Sequence, residues 1–250
     1  MRDNNDFDES KLDAGEIKLS SKGPFLTWLD NFWYYHKWKV IVILFFVAVF
    51  AIGIWQMIDK EEEDGSVVVA APIYFYSEHI EGLDTVLTGL MPEGSKNLNV
   101  YTYSIYSEDE LDAWNKAARE EETDAYGNEI GYIQNSVNVD RNKEYRDYLQ
   151  TGECSILFIS RHLYESLRDN DRLRPMSDIF GDEKAAGALS DGYGIRLGDT
   201  YLYEFFEELQ VLPADTVICL MRPYIWGASS DDAKYEKTVE FFKNIVDFGK

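Results

Sequence analysis

The sequence predicts a three-layer α/β domain on a mainly parallel sheet, preceded by one transmembrane helix. Three observations predict it. One stretch of the 250 residues is uncharged and apolar over the thickness of a membrane. The remainder interleaves short apolar runs with amphipathic segments, the pattern of strands and covering helices. An apolar fraction of 45%, with 15% aromatics, can bury a sizeable core, which argues against global disorder.

The apolar stretch, Val40 to Ile58, reads VIVILFFVAVFAIGIWQMI. At about 1.5 Å per residue it reaches about 28 Å, close to the hydrocarbon thickness. It lacks the polar stripe of a surface helix. Between residues 20 and 39, Lys22, Lys37 and Lys39 stand against Asp30 alone, and DKEEED follows the span. The bias toward Lys keeps the N-terminus cytoplasmic and exports the C-terminal part to the extracellular side. The run is long for a signal-peptide core and its leader is long too, so an uncleaved signal anchor is expected. Pro24 to Trp38 is crowded with Phe25, Trp28, Phe32, Trp33, Tyr34, Tyr35 and Trp38. Such rings settle at the headgroup level, so residues 23–39 read as an aromatic interfacial helix that runs into the span. Docking of another membrane protein is the sharper alternative. Residues 1–22 read as a disordered cytoplasmic tail, 40–58 as the span, 59–65 as an acidic linker, and 66–250 as the exported α/β domain.

Along that domain, Val67 to Tyr76 is a β-rich apolar run, and Ile80 to Leu90 a short amphipathic helix. Leu98 to Ile105 alternates as a second strand. Ser107 opens a helix, with Glu110 completing a capping box and Leu111, Trp114 and Ala118 inward. An acidic run and a turn at 125–128 follow. Val139 to Gln150 is helical, with Tyr145, Tyr148 and Leu149 inward and Gly152 as the stop. Cys154 to Ser160 is a short buried strand and Arg161 to Arg168 a helix. Gly192 to Leu197 is a strand, Tyr201 to Leu209 a helix, and Thr216 to Arg222 a buried strand. The last helix starts at a Ser230-Asp231 cap and carries the stripe Tyr235, Val239, Phe242, Val246.

Lys and Arg number 24 against 46 Asp and Glu, for a net charge of −22. Residues 1–58 account for −1 of this, so −21 resides in the rest. Such a charge excludes nucleic acid as a partner, keeps an exported domain soluble, and opposes lying on an anionic membrane surface.

Gly152 to Phe180, GECSILFISRHLYESLRDNDRLRPMSDIF, resembles a recurring piece of extracytoplasmic solute-binding proteins. It carries the short strand, the Tyr-containing helix and the turn Leu173-Arg-Pro-Met-Ser-Asp178. Leu212 to Tyr224, LPADTVICLMRPY, and the closing helix resemble the C-terminal region of that family. YYHKWKVIVILFF resembles the front of small single-span membrane proteins of anaerobic Gram-positive bacteria. Too few residues separate Asp178 from Leu212 to build a second lobe. The resemblance therefore implies a single, membrane-anchored lobe of a periplasmic-binding-protein-like fold.

Chemical motifs are sparse. His36, His79 and His162 lack neighbours at metal-ligand spacing, so neither a metal nor a cofactor is expected. Gly192-Tyr-Gly-Ile-Arg-Leu-Gly198 has the wrong spacing for a dinucleotide loop and reads as a turn and strand entry. Paired carboxylates for glycoside hydrolysis cannot be singled out among so many acids. Cys154 and Cys219 read as small core residues, with a disulfide as the alternative.

Parallel-sheet geometry places a ligand beyond the strand C-termini, at Tyr76, Ser77, Tyr106, Ser160 and Arg161, with Trp226 after the last strand. Ordinary capping and loop roles are the competing reading for each. The expected function is a non-enzymatic one: binding a partner protein or an envelope ligand at the cell surface. A solute-binding component of an ATP-binding-cassette transporter is the alternative, and an extracellular hydrolase the third.

Overall fold

A computed structural model of the chain describes residues 23–58, 64–120, 122–124, 127–181, 187–223 and 232–249. The expected tail at 1–22, the linker at 59–63, part of the acidic excursion, Trp226 and the Ser230-Asp231 cap lie outside them. The chain divides into two units, Met1–Lys60 and Glu61–Lys250.

The first unit holds one helix, α1 (Pro24–Ile58), of 35 residues. Within it, Phe32–Trp55 is long and apolar enough to cross a membrane, and none of that span is buried. Ile43, Phe45 and Phe50 all point outward. A helix apolar on every side needs apolar surroundings, which water does not provide. The aromatic segment and the span form one unbroken helix, with Trp28 and Phe32 stacked at 5.4 Å one turn apart.

The second unit is α/β with a five-stranded mixed sheet. Its strands are β1 (Gly65–Ala71), β2 (Leu98–Ser104), β3 (Ile156–Ile159), β4 (Gly194–Arg196) and β5 (Val217–Leu220), in the order β2-β1-β3-β5-β4. The helices are α2 (Ser77–Gly89), α3 (Glu108–Arg119), α4 (Asn135–Thr151), α5 (Arg161–Asp169), α6 (Ser177–Phe180), α7 (Tyr201–Phe205) and α8 (Asp232–Val246).

Alternation along the strands builds three layers. Val67, Val69 and Ala71 of β1 face a core completed by Leu83 and Leu87 of α2 and by Tyr235, Val239, Phe242 and Val246 of α8. Val68 and Ala70 face the other way, onto Tyr145 and Leu149 of α4 and Leu163 and Tyr164 of α5. A strand covered on both faces reads as a continuous apolar run, which is why VVVAA shows no alternation. Cys154 and Cys219 are buried and free, within the second core.

The expectation of a mainly parallel sheet needs correcting. β1 pairs parallel with β2 and with β3, but β5 runs antiparallel to both β3 and β4. The cause is local. The chain leaving β4 does not cross the sheet; it returns at the same edge, where Leu197 N donates to Thr216 O at 2.8 Å and Gly198 N to Ala214 O at 2.9 Å. A strand re-entering from the edge just left must run in the reverse sense.

Element limits shift modestly. α2 starts at Ser77, where Tyr76 N donates back to His79 Nδ1 at 3.5 Å. α4 starts at Asn135 and ends at Gly152, whose φ of 71° is the left-handed stop. α7 is cut to one turn and gives way to a 3₁₀ segment, Glu207–Val211. The capping box of α3 forms as expected: Glu110 N donates to Ser107 Oγ, and Ser107 N to Glu110 Oε2.

The glycine-rich stretch at 192–198 serves packing. A Cβ on Gly198 would stand 2.6 Å from Ala214 O, a backbone atom that cannot swing away. Gly198→Ala should therefore lower stability by about 1–3 kcal/mol, the usual range for overpacking. A urea denaturation curve checks it by a lower midpoint at unchanged slope.

Candidate functional site

The register brings the ends of three strands to one edge: Ala71 sits opposite Ser104, and Ala70 opposite Ile159. β5 points the other way, with its last residue, Leu220, opposite the first of β3, Ile156. Trp226 lies outside the described residues.

Beyond the ends of β1 and β2 lies a cleft of about 570 Å³. Tyr74 and Tyr76 enter it from the turn after β1, and Trp114 from α3. Glu129 and Tyr132 come from the α3–α4 connection, and Arg141 from α4. Two side-chain amides hold this frame. Asn138 clasps the end of β2: Tyr106 N donates to its Oδ1 at 3.0 Å and its Nδ2 to Tyr106 O at 2.9 Å. Asn115 clasps the connection likewise, through Ile133 N and Ile133 O. Trp114 Nε1 adds a bond to Gly131 O at 2.8 Å.

Of the expected residues, Tyr76 lines the cleft and donates its hydroxyl to Asp124 Oδ2 at 3.2 Å. Burial, then the Asp124 carboxylate, raises its phenol pKa. Tyr106 stands behind Trp114, with ring centres 5.4 Å apart, and is almost fully buried. Burial drives its pKa well up, against the opposing pull of the Arg141 guanidinium. Among the described residues, its hydroxyl and Arg141 Nη1 are both buried without a hydrogen-bond partner. Ser77 is the exposed first residue of α2.

Ser160 and Arg161 stand apart from the cleft. Arg161 pairs with Glu165 one turn on, Nε to Oε1 at 2.8 Å, with both side chains about half exposed. Ser160 Oγ lies 3.1 Å from His162 Nδ1, and Glu110 Oε2 lies 3.8 Å from the same nitrogen. A nucleophile–base–acid relay needs the serine and the carboxylate on opposite nitrogens. With both on Nδ1, the imidazole cannot pass a proton from one to the other.

Burial lowers the His162 pKa below its ordinary 6.5, despite Glu110 and Glu165 acting to raise it. The unfolded chain then binds the proton more readily. The stability this histidine supports is full above pH 6.5 and is lost as pH falls through 6.5 toward the lower folded value. Thermal melts from roughly pH 7.5 down to pH 5 should show that loss. His162→Gln should flatten the slope.

Arg141, Tyr74, Trp114 and Tyr132 were not read as site residues from the sequence. The rule of looking at strand ends reaches only residues next to a strand. Trp114 fits a helix stripe equally well, and Arg141 is one charge on a helix of mixed charge. The available signal was Tyr74-x-Tyr76 directly after an apolar strand. Comparison with family models, with curated proteins and with solved structures gives no match for this chain.

Proposed function

We propose that the chain is a single-pass cell-membrane protein with a cytoplasmic N-terminus. Its exported α/β domain is a non-enzymatic module that binds a small envelope ligand in the cleft at the ends of β1 and β2. The observation that carries this reading is the cleft itself. It has the size of a small-molecule site, aromatic walls, and a few convergent polar groups. Its position agrees with a single lobe resembling solute-binding proteins, where ligands lie beyond strand C-termini. The charge bias around α1 supports the orientation. Among the described residues lining the cleft, Glu129 supplies the one carboxylate.

The test is a thermal-shift screen of sugars, peptides and organic acids on the full chain in detergent. A ligand of the folded state raises the melting temperature by mass action. The reading expects at least one stabilising compound whose effect Trp114→Ala removes. A panel with no stabilising member would overturn it.

A second reading, docking of a partner protein, is favoured by a different observation. Tyr201 and Phe205 are more than half exposed and cluster with Phe206 and Phe248. Exposed aromatic patches of this kind mark protein contacts.

A further inference from the structure

We infer that the cleft receives a ligand with one carboxylate, anchored on Arg141, and a flat apolar body held among Tyr74, Tyr76, Trp114 and Tyr132. The inference rests on the reading of this cleft as the binding site.

Arg161, Arg168, Arg196 and Arg222 each pair with a carboxylate. Arg141 lines the cleft, and its buried Nη1 has no hydrogen-bond partner among the described residues. Glu110 and Asp124 are engaged elsewhere. Glu110 accepts from Ser107 N at 2.7 Å, and Asp124 from Asn128 N and the Tyr76 hydroxyl. Glu129, the remaining acid at the cleft, is exposed to water.

A guanidinium that lines a cleft with donor capacity to spare can serve an oxyanion, and a planar carboxylate matches its fork. The aromatic walls specify the rest of the ligand. Tyr74 and Tyr76 meet edge to face at 5.0 Å, with Trp114 and Tyr132 on other sides of the same cleft. Such walls favour a ring or another flat apolar group. Glu129 carries the opposite sign at the rim, so a second anionic group on the ligand would be repelled.

The experiment uses the full chain in detergent micelles and isothermal titration calorimetry. The probes are phenylacetate, indole-3-acetate and N-acetylphenylalanine, each beside its uncharged amide. At least one acid should bind ten times or more tighter than its amide. Arg141→Gln should bring that acid down to the level of the amide while leaving the amide unchanged. Equal binding of acid and amide to the unaltered protein overturns the inference, and this arm needs no variant to fold. So does weak or absent binding of these acids when a neutral sugar or peptide from the wider screen binds; the binding-site reading then stands. If neither the probes nor any member of that screen binds, the binding-site reading falls as well.

Discussion

Phe242→Ala should remove about 3–5 kcal/mol of stability from the α/β unit, the usual loss for a buried Phe truncated to Ala. Phe242 is fully buried on α8, in the core that α8 and α2 build over β1, and it packs on Phe180 of α6 at 6.3 Å between ring centres. Its ring thus joins the sheet, the last helix and the short α6 turn. A domain of ordinary stability has about 5–15 kcal/mol in total, so the variant should lie close to unfolding at physiological temperature. Val139→Ala on the exposed side of α4 is the internal control and should change stability by less than about 0.5 kcal/mol. Urea denaturation followed by circular dichroism reads both. A Phe242→Ala loss no larger than the control would contradict the packing described.

Asn138→Ala should cost about 2–4 kcal/mol and weaken ligand binding together. The amide of Asn138 satisfies both backbone groups of Tyr106, in a site where Asn138 and Tyr106 are buried. Removing it leaves one donor and one acceptor unpaired, each worth about 1–3 kcal/mol when water cannot reach it. The same amide pins the first turns of α4 to the end of β2. Arg141 follows three residues later on α4, on the neighbouring position of the helix surface. Loosening this joint should displace the guanidinium from the cleft. Asn138→Asp keeps an acceptor for Tyr106 N but sets a buried carboxylate oxygen against Tyr106 O, and should cost at least as much as Asn138→Ala. Melting curves and the ligand screen on the same samples separate the stability effect from the binding effect. An Asn138→Ala protein with wild-type stability would overturn the role assigned to this clasp.

Much of the fold could be read from local pattern. VVVAA, CSILFIS and TVICLMR are too short and too apolar to be surface helices, and each contains a strand. Ser107 with Glu110 marks the start of α3, and Gly152 the end of α4. The direction of β5 could not be read this way. It depends on the hydrogen bonds of Leu197 and Gly198 to residues about 16–19 positions later, which leave no periodic trace. Gly198 was visible, but as a turn residue rather than as the point where two backbones touch.

The site was legible only at Tyr76 and, less directly, Tyr106. Arg161 carried the same charge and the same strand-end position as a ligand anchor, yet Glu165 one turn along α5 takes its guanidinium. An i,i+4 pair of this kind can be read from sequence. Arg141 offered no such pattern. Its importance comes from the clasp of Asn138 and from the aromatic connection folded against α3, both set by tertiary structure.

The most direct measurement is labelling of the cleft from outside the cell. Tyr132 lines the cleft and is well exposed, and the native Cys154 and Cys219 are buried, so a Tyr132→Cys chain offers one accessible thiol among the described residues. A membrane-impermeant maleimide added to intact cells should modify it, and any compound that stabilises the protein in the thermal screen should slow that modification. Labelling only after the membrane is opened, or at a rate that no stabilising compound changes, would contradict a ligand cleft on the outer face of the membrane.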